Sequence, residues 1–126
     1  MKTDLPKVLI LDDDPAHLAI YALLVKQANC EPVPVIVNFS GPEFPAETGI
    51  ALIILDYRLN SVKTAPELAQ EAQRRYPGAP VILLSELLSM PRDVAPFAAK
   101  FVRKGDPQKL IDTIHAVMAN SEGLQT

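Results

Sequence analysis

Four short apolar runs in this chain each end at a residue able to handle phosphate or a hard cation, and no other feature restricts the fold so strongly. Residues 8–11 end at Asp12 and Asp13, residues 50–55 at Asp56, residues 81–84 at Ser85, and residues 101–102 pass through Arg103 to Lys104. Runs this short, apolar and partly β-branched suit strands buried on both faces of a parallel sheet. Parallel strands deliver their carboxyl ends to one edge, which is where ligands of open α/β sheets bind. Three carboxylates, a hydroxyl and an ammonium then converge from segments far apart in sequence.

Helical patterns fill most of the intervals. Asp14-Pro15 reads as an N-cap followed by proline at the first helical position, and Leu18, Ala22, Val25 and Ala28 repeat at helical spacing behind it. A second strand is expected over 33–37. Segment 38–49 contains Gly41, Pro42, Pro45 and Gly49, which leaves room for at most one helical turn. Thr64-Ala65-Pro66-Glu67 reads as a capping box, Ala65, Leu68, Ala69, Ala72 and Tyr76 share one face, and Pro77-Gly78 stops that helix. Pro91 and Pro96 divide segment 86–100 into pieces of about a turn. Asp106-Pro107 repeats the cap-and-proline start, and Leu110, Ile114, Val117 and Met118 stripe a last helix expected to fray from about Ser121. Strands alternating with helices predict an α/β domain, a doubly wound parallel sheet with right-handed crossovers.

Composition narrows the function classes. At 126 residues and 48% hydrophobic the chain suits one domain over 1–126, with a core expected over about 5–119. A net charge of −3, with Lys and Arg scattered, argues against direct nucleic-acid binding. The single Cys30 reads as a small core residue, and no Cys/His spacing suits zinc. The start has no signal-peptide pattern and no apolar stretch is long enough to span a bilayer, so a soluble cytoplasmic protein without membrane contact is expected.

Two carboxylates about 5 Å apart repel by roughly 3 kcal/mol at an effective dielectric near 20, and three clustered ones by several times that. Such a cluster calls for protonation or a cation, and Mg²⁺ fits best because it takes a few carboxylate oxygens and leaves positions for phosphate. The plainer reading, in which the aspartates only cap the first helix, suits Asp14 because Pro15 follows it. Asp56 ends six apolar residues and can act as a nucleophile toward a phosphoryl donor, with Lys104 supplying positive charge and Ser85 a hydroxyl. Singly, Ser85 reads as a strand-end turn residue and Lys104 as a solvated surface lysine; their conjunction at strand ends argues otherwise.

Together these residues resemble the receiver domains of bacterial two-component response regulators, of which the chemotaxis regulator is the small type member. The resemblance spans residue 8 to about 119. It implies a five-stranded parallel sheet of flavodoxin-like order 2-1-3-4-5, here with short or irregular second and fourth helices. Leu11-Asp12-Asp13-Asp14-Pro15 matches the acidic-pair motif, which places Asp12 and Asp13 at metal-binding positions. Leu52-Ile53-Ile54-Leu55-Asp56 matches the phosphoacceptor strand, which makes Asp56 the expected phosphorylation site and a metal ligand, with the backbone carbonyl of Arg58 as a further ligand. Ser85 matches the switch hydroxyl, Phe101 the switch aromatic and Lys104 the family lysine. The implied function is Mg²⁺-dependent phosphorylation by a histidine kinase or phosphotransfer protein, with signalling to a downstream protein target. The chain would be no enzyme beyond its own phosphoryl transfer and dephosphorylation, and a monomer or weak homodimer.

The chain departs from the family pattern at four positions. Asn60 and Thr64 stand where the family usually has Pro and Gly, Glu86 follows the switch hydroxyl in place of a small residue, and Gly105 replaces a proline after the lysine. A trans bond is expected at Gly105, since a non-proline cis bond costs roughly 3 kcal/mol. These changes keep a second reading open, a degenerate receiver that serves as a non-phosphorylated interaction module. A third is a haloacid-dehalogenase-like phosphatase with Asp12 as nucleophile, against which stands the lack of a late acidic pair and of a cap domain.

Overall fold

The computed structural model describes residues 5–125, with side chains described through residue 120. In chain order the elements are β1 (Lys7–Asp12), α1 (Pro15–Gln27), β2 (Glu31–Asn38), β3 (Gly41–Pro42), β4 (Ile50–Asp56), α2 (Ala65–Arg75), β5 (Val81–Ser85), a 3₁₀ turn (Ala95–Phe97), β6 (Lys100–Arg103) and α3 (Pro107–Gln125). They build one sheet of order β3-β2-β1-β4-β5-β6. Its five long strands pair in parallel in the expected order. The expectation of five strands needs one correction, because β3 adds a sixth, antiparallel, pairing Val37 with Pro42 and Asn38 with Gly41. Gly41 makes that hairpin with φ of 115°, a left-handed conformation that side chains disfavour.

The sheet has a packed layer on each face. Val8, Ile10, Leu52, Ile54, Ile82 and Leu84 meet Leu18 and Val25 of α1 and Leu110 and Ile114 of α3. Leu9, Leu11, Ile53, Leu55 and Leu83 point the other way, onto Leu68, Ala69 and Ala72 of α2. All six β-strand residues of the first set are at most 2% exposed, so each contributes on the order of 1.5–3 kcal/mol of apolar burial. This two-sided burial is why the strands read as continuous apolar runs.

Helix starts follow the sequence. Asp14 Oδ1 accepts from the Ala16 N–H at 2.8 Å, and Asp106 Oδ1 accepts from the Lys109 N–H at 3.1 Å. Both halves of the Thr64 and Glu67 capping box are formed. The last helix, α3, is continuous from Pro107 to Gln125.

The α2 face lacks its other helices. Segment 43–49 forms no helical turn at all, and Phe44 is the plug there. It sits edge-on to Tyr76 at 6.2 Å between centroids and under the Arg75 guanidinium at 5.5 Å, and Tyr76 donates to the Pro45 carbonyl at 2.7 Å. Across 86–99 only the 3₁₀ turn remains, anchored by fully buried Val94. At the other margin, the Glu31 N–H bonds back to Pro6 O at 2.8 Å. Alternation then turns the amide positions of Pro32 and Pro34 outward, so the exposed flank of β2 lacks two donors that could recruit another strand.

Candidate functional site

The carboxyl ends of β1, β4, β5 and β6 lie at one edge because these strands are parallel neighbours in register: Leu11 pairs with Leu55, Asp56 with Leu84, and Ser85 with Arg103. Asp12, Asp13 and Asp56 are brought together, each offering a carboxylate oxygen within 4.8 Å of the others. Asp12 is 0% exposed and Asp56 2%. Lys104 Nζ lies 2.8 Å from Asp56 Oδ1, and the Lys104 N–H donates to Ser85 O at 2.8 Å, which fixes the lysine at the end of β6 beside β5.

Electrostatics follow from burial. Desolvation pushes Asp12 from its ordinary 3.8 up to about 6, against an opposing hydrogen bond from the Asp14 amide and with further upward push from Asp56. Asp56 is also raised by burial, and the Lys104 ammonium and the Arg58 amide work against that rise. Asp12 Oδ1 accepts from the Asp14 N–H at 2.9 Å, whereas Asp12 Oδ2 is buried with no hydrogen-bond partner. A buried carboxylate oxygen without a donor costs free energy unless a cation or proton meets it. The all-oxygen donor set and this orphaned oxygen fit a hard divalent cation such as Mg²⁺.

The remaining expected residues are placed as follows. Arg58 is exposed in the loop beyond β4, its amide toward Asp56. Ser85 is 1% exposed, and its Oγ accepts from the Leu87 N–H at 3.1 Å, a strand-end turn contact that leaves its hydrogen available. Phe101 is half-buried against the α2-side core. An open groove of about 570 Å³, lined by Asp13, Arg58, Asn60 and Lys63 among others, leads to the acidic edge.

The departures from the family pattern acquire physical reasons. The Asn60 N–H donates to Asp13 Oδ2 at 2.8 Å, a bond that a proline could not make. Thr64 is the N-cap of α2, a task its hydroxyl performs and glycine's lone hydrogen could not. Gly105 has φ of 90°, far from the value a proline ring permits, and its peptide bond is trans as expected. Glu86 is exposed and lines a cavity of about 270 Å³ with Tyr21 and Lys104.

His17, which sequence reasoning passed over, belongs to this edge. Its Nδ1 is buried, has no hydrogen-bond partner, and lies 3.6 Å from Asp12 Oδ2, while its Nε2 lies 3.6 Å from Asp14 Oδ2. The signal was in the sequence, a histidine in the first turn of α1 and three residues after an acidic cap, where helical spacing returns it to the acidic end.

No family model matches the sequence, and no curated protein matches it either. Solved structures do resemble the fold. A CheY-like response regulator receiver domain protein from Methanospirillum hungatei JF-1 superposes with a TM-score of 0.75 at 21% identity, covering 95% of this chain and 98% of that one. The chemotaxis protein CheY4 of Vibrio cholerae gives 0.69 at 19% identity, with 90% and 98% covered. A putative pilus assembly protein from Burkholderia thailandensis gives 0.73 at 16% identity, with 91% and 99% covered. The chain has the fold of the CheY-like receiver domains.

Proposed function

We propose that this chain is a phosphoacceptor receiver of two-component signalling, phosphorylated on Asp56. The observation that carries the reading is the Asp56 carboxylate, buried at the end of β4, with Lys104 Nζ at 2.8 Å and the oxygens of Asp12 and Asp13 within 4.8 Å. Asp12, Asp13, Asp56 and the Arg58 carbonyl would hold Mg²⁺, which when bound supplies positive charge to the phosphoryl oxygens. An Asp56 oxygen attacks phosphorus in line, an oxygen–phosphorus bond forms, and the bond to the donor's histidine nitrogen or acetate oxygen breaks. The ammonium of Lys104 favours the ionised form of Asp56 against the effect of burial and then offsets charge on the acyl phosphate. Ser85 keeps a hydroxyl hydrogen to donate to a phosphoryl oxygen. The donor is a histidine kinase or phosphotransfer protein, and the output is contact with another protein. The reading includes a cytoplasmic setting, a monomer or weak homodimer, and no turnover beyond the chain's own phosphoryl transfer and dephosphorylation. In support, no helix among the described residues is long and apolar enough to cross a membrane.

Acetyl phosphate with Mg²⁺, followed by intact mass, tests this. One phosphoryl adduct is expected on the native protein and none on Asp56→Asn; an adduct that persists in the variant refutes the assignment. A second reading, an interaction module without a switch, is favoured by the Ser85 hydroxyl's contact with its own turn and by the missing helix across 86–99. Absence of both the adduct and Mg²⁺ binding selects it.

A further inference from the structure

Of the three buried ligand atoms without hydrogen-bond partners at the acidic edge, Asp56 Oδ1 is ion-paired with Lys104, while Asp12 Oδ2 and His17 Nδ1 face each other at 3.6 Å. That separation is too long for a hydrogen bond. It matches two donors on one ion, since atoms each roughly 2.0 to 2.2 Å from a shared cation stand about 3 to 4 Å apart. The other ring nitrogen, Nε2, stands 3.6 Å from the Asp14 carboxylate, also beyond hydrogen-bond distance, so Asp14 is a neighbouring anion toward which the ring must move before that carboxylate can orient it. His17 sits in the first turn of α1 with 43% of its side chain exposed; it lies outside the group of Asp12, Asp13 and Asp56 whose ligand oxygens gather within 4.8 Å, so joining an ion held by them requires the ring to turn toward that group. Imidazole favours first-row transition ions, whereas Mg²⁺ takes oxygen.

We propose that His17 makes this acidic edge a mixed nitrogen and oxygen site that prefers a first-row transition dication, Mn²⁺ among them, to Mg²⁺. The inference rests on the metal-binding part of the proposed function. It separates the imidazole from the three aspartates: the carboxylates supply the general cation affinity, and His17 supplies the selectivity.

Electron paramagnetic resonance of Mn²⁺ titrated into the native protein and into His17→Gln, with Mg²⁺ competition, measures the affinity ratio of the two ions. Electron spin-echo modulation on the native complex reports directly whether nitrogen touches the ion, independently of how the variant folds. The native protein is expected to show nitrogen coupling, and His17→Gln to lose it while the Mn²⁺ to Mg²⁺ ratio falls roughly tenfold. An unchanged ratio, or a native Mn²⁺ complex without nitrogen coupling, overturns the role of His17. In that case Mg²⁺ binding and the Asp56 adduct persist and the proposed function stands. A native protein that binds neither ion overturns both.

Discussion

The acidic edge and the α2 face are built from the same kind of chain and treated in opposite ways. At the edge, the ends of four strands supply buried Asp12, Asp56 and Ser85 with half-buried Lys104, in a register fixed by ladder pairing. On the α2 face, two crossovers that could carry helices carry a hairpin, a coil plugged by Phe44, and a single 3₁₀ turn. Proline shows the difference in small compass. Pro15, Pro66 and Pro107 stand in the first turns of α1, α2 and α3, where a missing N–H costs nothing. Pro42, Pro45, Pro91 and Pro96 fall inside the two crossovers and oppose any long α-helix there, Pro96 standing within the 3₁₀ turn itself. The strand ends of this fold stay in place while its cover is rebuilt, because the ends depend on sheet register and the cover only on filling space.

If that division holds, changes at the edge alter chemistry and changes in the cover alter stability. The largest expected effect is at the edge: Lys104→Ala should slow adduct formation from acetyl phosphate about a hundredfold, since it removes the ammonium paired with Asp56. Leu88→Ser, at 82% exposure in the cover, should leave the rate unchanged. A comparable loss from Leu88→Ser would break the comparison.

Next comes pH. Folded Asp12 keeps its proton up to about 6, whereas its ordinary value is 3.8, so the folded state binds more protons in between. The cation-free protein is therefore expected to lose stability as pH rises from about 4 to about 6, on the order of 2 to 3 kcal/mol. Asp12→Asn should flatten that slope, and Mg²⁺ at neutral pH should restore the loss in native protein. Urea midpoints across the range decide it; a native curve rising with pH over this window counts against a buried, uncompensated Asp12.

The cover answers through packing. Phe44→Ala should cost about 2 kcal/mol, less than a fully buried phenylalanine because this ring is half-buried, and should leave the Asp56 adduct intact. Chemical denaturation and intact mass on the same variant test both halves.

Much of this architecture is legible from local rules. The buried strands announce themselves as apolar runs, and the caps at Asp14, Thr64 and Asp106 as side chains whose hydrogen bonds close within three residues. The features that escape are those whose partners are distant. The pairing of β3 with β2 turns on Gly41 taking a left-handed φ, and proline-rich 38–49 reads only as an absence of helix. Phe44 as a plug needs Tyr76 and Arg75 from α2. The three acidic residues could be paired by strand logic, but the approach of His17 to Asp12 depends on the angle at which α1 leaves β1.

The smallest expected effect lies where the two regions meet. Tyr57 directly follows Asp56, and its hydroxyl donates to the Asp93 carboxylate, at 3.1 and 3.2 Å to the two oxygens. Through this contact the 86–99 segment is tied to the strand end that carries the phosphoacceptor. The contact is solvent-accessible, so Tyr57→Phe should cost below about 1 kcal/mol of global stability. Val94 is fully buried and the Ala95 N–H bonds to Pro91 O at 3.1 Å, so the segment has anchors of its own. Faster amide exchange confined to 91–97, with an unchanged adduct rate, is the expected signature. If the adduct rate falls as well, the cover is coupled to the edge through Tyr57, and the separation of chemistry from packing fails at that residue.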